Sequence, residues 1–369
     1  MTATARTSPP DPAARPTLAS TFDPRANSLA VLRLLLATTV ALVHATELAR
    51  GWRPEIASTE IGAVAVDGFF VVSGFLVTAS FVRLGSLRRY AWHRALRILP
   101  AFYVCLVLTT FVLAPAISAL QGAGPLAVYR GEGSALDYLV HNAGLMIRQF
   151  TIDTLPPTTP GGGNVNGALW TLFYEALCYG LVAVLGLLAV LRRRRWLVLA
   201  ALAVLQAALL AQELGLFTLP VENLPRLVFV FLLGAAAHLW ADRIRISRPL
   251  LLLALATFVA SVLLLEDYRA VGGVAFGYVV VHAVVRLPLR QEPAYDLSYG
   301  TYIFHWPLSV LALSAGVGVL PLPLVLLVCL GTTGVAALLS WRLVEAPALR
   351  LKSATWVTRP LPGRERQRA

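Results

Sequence analysis

A chain of 369 residues that is 57% apolar and only 14% charged falls far below the roughly one-quarter charged content of soluble domains, which excludes an ordinary soluble enzyme. The formal net charge of +12 does not point to nucleic acid, because the basic residues fall in short connections between apolar runs, where membrane proteins carry them. Cys105, Cys178 and Cys329 each lie inside an apolar run without metal-ligand spacing, so neither a disulfide framework nor a metal site is expected.

In chain order, residues 1–27 are Pro-rich and polar and read as a disordered cytoplasmic tail. Ten apolar runs follow, near 28–48, 61–82, 96–118, 167–190, 196–214, 224–241, 249–266, 271–287, 297–314 and 320–344. Each is close to the ~20 residues that cross a bilayer core. Rich in Leu and Ala and without ten-residue alternation, they predict an all-α polytopic transmembrane helical bundle of about ten spans, not a β-barrel. Connections on the side of the N-terminus hold 24 Lys plus Arg, against Arg50, Arg53, Arg130, Arg148, Arg226 and Arg269 on the other side. That asymmetry predicts cytoplasmic termini and a multi-pass protein of the inner (plasma) membrane. The domain reading is a tail over 1–27, a membrane domain over 28–350 and a basic cytoplasmic tail over 351–369, the last suited to lipid headgroups. The longest connection, 119–166, lies outside. In it Leu136, Leu139, Val140, Ala143, Ile147 and Phe150 recur at helical spacing, which predicts an amphipathic helix on the outer membrane surface or packed against the bundle.

Ionisable groups inside apolar spans cost about 2.5–3.5 kcal/mol even on lenient scales and need a reason. Arg33 and His44 in the first span, Asp67 in the second, Glu175 in the fourth and His305 in the ninth stand out. Eleven residues separate Arg33 from His44, which places both on one helix face roughly 16 Å apart along the axis. Asp67 and Glu175 are expected to enter from the outside, near His44, and His305 to lie nearer mid-membrane. Each has a bland alternative: a polar contact between helices, or snorkelling for Arg33. Their joint occurrence favours a shared cavity. In the loop Arg83 to Pro100, which also holds Arg88, Arg89 and His93, Arg94 and Arg97 are three residues apart at the start of a helix. They are suited either to setting topology or to clamping the phosphates of a cytosolic ligand.

Taken together, these segments resemble the acyltransferase-3 family of integral membrane O-acyltransferases. The likeness is carried by the Arg33–His44 spacing and by Phe69, Phe70, Ser73, Gly74 and Phe75. It continues in Arg94, Arg97 and Pro100, and in Trp170 with Glu175, Thr171 standing where Ser is usual. Ser298, Tyr299, Tyr302, His305, Trp306 and Pro307 resemble the late-span motif, and Glu345 with Pro347 the closing one, so the match runs from about Asn27 to Leu349. The resemblance implies transfer of an acyl group, often acetyl, from cytosolic acyl-CoA to a hydroxyl of a glycan, a glycolipid or another acceptor. No permanently bound cofactor is expected, acyl-CoA being the donor substrate. The partners are the acceptor and the lipid bilayer, not nucleic acid.

In this reading His44 is the general base, or itself accepts the acyl group. Glu175 or Asp67 orients its imidazole, and Arg33 holds the pantetheine carbonyl or polarises the thioester. Arg89, Arg94 and Arg97 hold the coenzyme's phosphates, while Trp170, Tyr302 and His305 contact substrate. A small-molecule acceptor such as a macrolide or sugar antibiotic is the alternative within the enzyme class. A secondary transporter is the alternative outside it, although the two halves lack the internal symmetry and matched helix breaks of such proteins.

Overall fold

The computed structural model describes residues 16–155, 160, 162–218, 221, 223–287 and 295–354. Helices occupy each of the ten expected regions: α1 (Leu29–Arg50), α2 (Ile61–Leu84), α3 (Leu87–Leu120), α4 (Trp170–Leu187), α5 (Trp196–Glu213), α6 (Asn223–Leu239), α7 (Arg248–Leu264), α8 (Arg269–Arg286), α9 (Ser298–Ser314) and α10 (Leu322–Ser353). Seven of these are long and apolar enough to cross a membrane; α6 and α7 are shorter apolar helices. The 17-residue α9 lies in the middle of the bundle and is buried along almost its whole length.

Local chemistry sets the boundaries. Gly51 ends α1 in the left-handed region at φ 77°, where a Cβ is unfavourable. Ser86 caps α3, its Oγ accepting from the Arg89 amide. Consequently α3 starts nine residues before the expected 96, and Arg94 and Arg97 lie two to three turns into it, not at its start. A π-helical turn at Thr109–Leu113 interrupts α3, and a second at Trp341–Glu345 interrupts α10. This second turn carries the helix beyond the expected end at 344, so that Leu351 and Lys352 meet Trp92 and His93 of α3.

The closest helix pair is α2 with α6. A Cβ on Gly74 would collide with the Phe231 carbonyl, and one on Gly234 with the Val71 carbonyl, so each glycine lets the other backbone approach. Small residues have this use between helices in lipid, where packing replaces the hydrophobic effect as the driving force.

Two connections differ from expectation. The amphipathic pattern of 136–150 forms a helix only over Ala135–Asn142, capped reciprocally by Ser134 and Asp137. The Asn142 side chain then bonds the backbone of Arg148 and Gln149, folding the rest back as a loop whose Ile152 and Leu155 reach the core. Residues 16–27 are not a free tail: Leu18 is fully buried, its amide donating to the Ile244 carbonyl, and Phe22 packs edge-on against Phe75. Residues 1–15 and 355–369, the remainder of the expected tails, lie outside the described residues.

Candidate active site

Helix α9 organises the site. Pro307 has no amide hydrogen to give the Ile303 carbonyl one turn back, and that carbonyl accepts from Asn166 Nδ2 at 3.0 Å and from the Cys105 thiol at 3.3 Å instead. The break is therefore filled by α3 and the segment before α4, which fixes α9 against both.

Between Ile303 and Pro307, His305 is almost fully buried, and its Nδ1 lies 2.7 Å from the Tyr302 carbonyl. A carbonyl can only accept, so Nδ1 carries the proton and Nε2 presents a lone pair. That Nε2 is 2.8 Å from Nδ1 of His44, which must be the donor. His44 is left with an unprotonated Nε2 that has no protein partner among the described residues. The two imidazoles lie nearly parallel, 12° apart. Trp306 meets the His44 ring edge-on at 4.7 Å and is itself held by its Nε1–H on the Asn164 carbonyl.

Between α1, α2, α3, α4 and α9 lies a cavity with Arg33, Arg94 and Arg97 at one end. Its walls carry Ser73, Glu175, Tyr179 and Tyr299, and it closes at Thr171 and Tyr302, whose hydroxyls are 2.7 Å apart. His305 follows one turn beyond Tyr302. Arg33 Nη1 and Arg97 Nη2 both donate to Asp296 Oδ2 at 2.9 Å, and Asp296 Oδ1 accepts from the Ser298 hydroxyl at 2.7 Å. Burial works to raise the Asp296 carboxyl, but the guanidiniums of Arg33 and Arg97 outweigh it and hold it well below the usual carboxylate range. Arg94 lies over the Tyr179 ring and Arg97 over that of Tyr299.

The site residues expected from the sequence therefore divide. Arg33, Arg94, Arg97, Glu175 and Tyr302 line one cavity, and His44 and His305 touch each other just beyond its closed end. Glu175 does not orient His44: it lies toward the arginine end, where Oε1 accepts from Tyr179 at 2.6 Å and from Ser73 at 3.3 Å. Asp67 does not face the cavity either. It is fully buried between α2, α6 and α8, paired with Arg226 and Arg269 and accepting from the Tyr268 hydroxyl at 2.7 Å. A carboxylate this deep needs such partners, so its role is to join helices, and the imidazole it was expected to orient is held by His305. Arg89 and Trp170 do not line the cavity; Trp170 packs edge-on against Tyr174.

The chain matches a protein family described as an acyltransferase domain over residues 27–341, from before α1 to the second π turn. It belongs to the acyltransferase-3 family. Nodulation protein 10 of Rhizobium leguminosarum bv. viciae is 29% identical over 358 residues, covering 89% of this chain and 94% of the relative. The O-acetyl transferase of Shigella phage Sf6 is 24% identical over 346 residues, covering 87% and 95%. No solved structure matches the chain. The protein is thus a membrane acyltransferase for groups other than aminoacyl groups.

Several residues that shape the acyltransferase's site carried no mark in the sequence reading. Asp296 precedes α9 and pairs with arginines 263 and 199 positions away. Tyr179 lies one turn after Glu175, a helical neighbour that spacing could have revealed. Asn166 was recoverable from Pro307, since a proline within a buried helix implies a donor for the carbonyl it frees.

Proposed function

We propose that this acyltransferase moves an acyl group, most simply acetyl, from cytosolic acyl-CoA to a hydroxyl of a surface glycan, glycolipid or lipid-linked sugar at the plasma membrane. The observation that carries the reading is the His44–His305 hydrogen bond, which leaves the half-buried His44 imidazole with a free lone pair beyond a cavity that begins in three arginines. A thioester is already activated, so the protein's task is to take a proton from the attacking hydroxyl and to hold the donor in line. Arg94, Arg97 and Arg33 hold the phosphates and the upper pantetheine arm by charge-assisted bonds.

The acyl end passes the Thr171–Tyr302 pair, which parts to admit it. The acceptor hydroxyl gives its proton to His44 Nε2 as its oxygen bonds to the acyl carbon. The carbon–sulfur bond then breaks, and the coenzyme leaves as thiolate and collects the proton. As His44 becomes an imidazolium, its Nδ1–H bond to His305 strengthens, which favours the transition state over the ground state.

The test is purified protein in nanodiscs with [acetyl-14C]acetyl-CoA and envelope glycan or lipid-linked sugar from the producing cell. Coupled release of coenzyme A and labelling of the acceptor is expected. Label on amines alone, or none in a monodisperse preparation, contradicts the reading.

A further inference from the structure

One turn beyond His44 on α1, Glu47 has only 7% of its surface exposed. Its Oε1 pairs with Arg53 at 2.8 Å, but Oε2 is buried without a hydrogen-bond partner among the described residues. An orphaned oxygen on a buried carboxylate is a rare and costly feature. Residues three apart on a helix are neighbours on its surface, so Glu47 lies next to His44 on α1.

The chain around it leads outward from the histidine pair. Val43 packs on Gly62 of α2 on one flank of α1. Ala45 and Ala49 pack with Val325 and Cys329 of α10 on the other. His44 and Glu47 fall between these flanks, toward α9. Arg53 is half exposed and also bonds Glu60, and the hydroxyl of the neighbouring Thr59 is a second buried oxygen without a partner among the described residues. The end of α1 away from the arginine cavity therefore holds unsatisfied acceptor capacity one helical turn from His44.

We propose that Glu47 grips the acceptor. Its Oε2 accepts a hydrogen bond from one hydroxyl of a polyhydroxylated acceptor, while the adjacent hydroxyl lies at His44 Nε2, loses its proton there and takes the acyl group. The substrate class is then a sugar with neighbouring hydroxyls; a simple monohydric alcohol would leave the carboxylate oxygen orphaned. This rests on His44 being the base, and it adds the group that selects which hydroxyl is presented. The ion pair with Arg53 could by itself explain a buried Glu47, but it satisfies only Oε1.

The probes are methyl hexopyranosides and their monodeoxy analogues, assayed with acetyl-CoA and wild-type, E47Q, E47D and R53Q proteins in nanodiscs. A charge-assisted bond predicts that E47Q raises the acceptor KM roughly 10- to 100-fold with a much smaller change in kcat. E47D, whose shorter side chain withdraws the oxygen, is expected to follow it, which guards against misfolding of either single variant. R53Q cuts the ion pair but keeps the carboxylate and is expected to stay within about threefold. Removing the gripped hydroxyl from the sugar should weaken wild type by the same factor and E47Q hardly further, as for two halves of one contact. An unchanged acceptor KM in E47Q and E47D, or an equal rise in R53Q, overturns the proposal. If wild type releases no coenzyme A with any acceptor, the transferase reading above fails instead, and Glu47 fails with it.

Discussion

Replacing His305 with Leu removes the acceptor for His44 Nδ1–H while leaving the Asp296 end of α9 in place, nine residues or about 14 Å away along the axis. In the ground state the lost bond is neutral, worth about 0.5–1.5 kcal/mol. In the transition state the donor is becoming an imidazolium, and such bonds are worth about 1.5–3 kcal/mol. Only the difference, about 1–2 kcal/mol, slows the chemistry, which corresponds to roughly a 5- to 30-fold fall in kcat. The acyl-CoA KM is expected to hold, because the three arginines are untouched. His305→Gln can present its amide oxygen to His44 and should recover part of the loss. Coenzyme A release followed with a thiol reagent across donor concentrations separates the two parameters. A native kcat in a monodisperse His305→Leu protein, or a loss confined to the donor KM, would refute the tautomer argument.

Three further outcomes are expected. Asp296→Asn leaves Arg33 and Arg97 short of the carboxylate they share and should cost about 3 kcal/mol, the low end for a broken buried pair because all three side chains keep some exposure. The Asp296 carboxyl is depressed on folding, so its contribution is complete above the ordinary value near 3.9 and is lost as pH falls through the lower folded value. The thermal-stability deficit of Asp296→Asn should therefore be constant from about pH 5 to 8 and narrow only in stronger acid; a deficit that varies between pH 6 and 8 would assign it to another group. Changing Arg94 and Arg97 together to Ala should raise the acyl-CoA KM, and Lys at both positions should restore part of it, charge surviving without the planar fork. Unchanged donor kinetics would leave these arginines a topological role alone. Finally, cysteines introduced at Thr154 and Ser353 should react oppositely with an impermeant maleimide in intact cells, and labelling of both from outside would contradict cytoplasmic termini.

Hydropathy placed the helices because bilayer thickness imposes a length on apolar runs, and ten helices stand where ten runs were read. Helix ends were less legible where capping overrode hydropathy, as at Ser86, which starts α3 inside a polar stretch. The fate of the buried charges was the least legible. Arg33 and His44 share a face by simple periodicity, but which carboxylate answers which cation depends on helix neighbours that no spacing reveals. Asp67 and Glu175 look alike in the sequence, as carboxylates inside apolar runs, and Asp296 lies just outside one. In the fold the first ties α2 to α6 and α8, the second meets a tyrosine and a serine, and the third joins Arg33 to Arg97. The partner of His44 was harder still, since two histidines 261 residues apart meet only where α9 packs against α1.

The most direct test of the account is the turnover of correctly inserted His44→Ala protein in nanodiscs, with acetyl-CoA saturating and the labelled acceptor measured. Loss of general-base assistance should lower transfer by roughly 10²- to 10⁴-fold while acetyl-CoA still binds at the arginine end. Transfer near the wild-type rate would contradict it and move the proton acceptor elsewhere in the cavity.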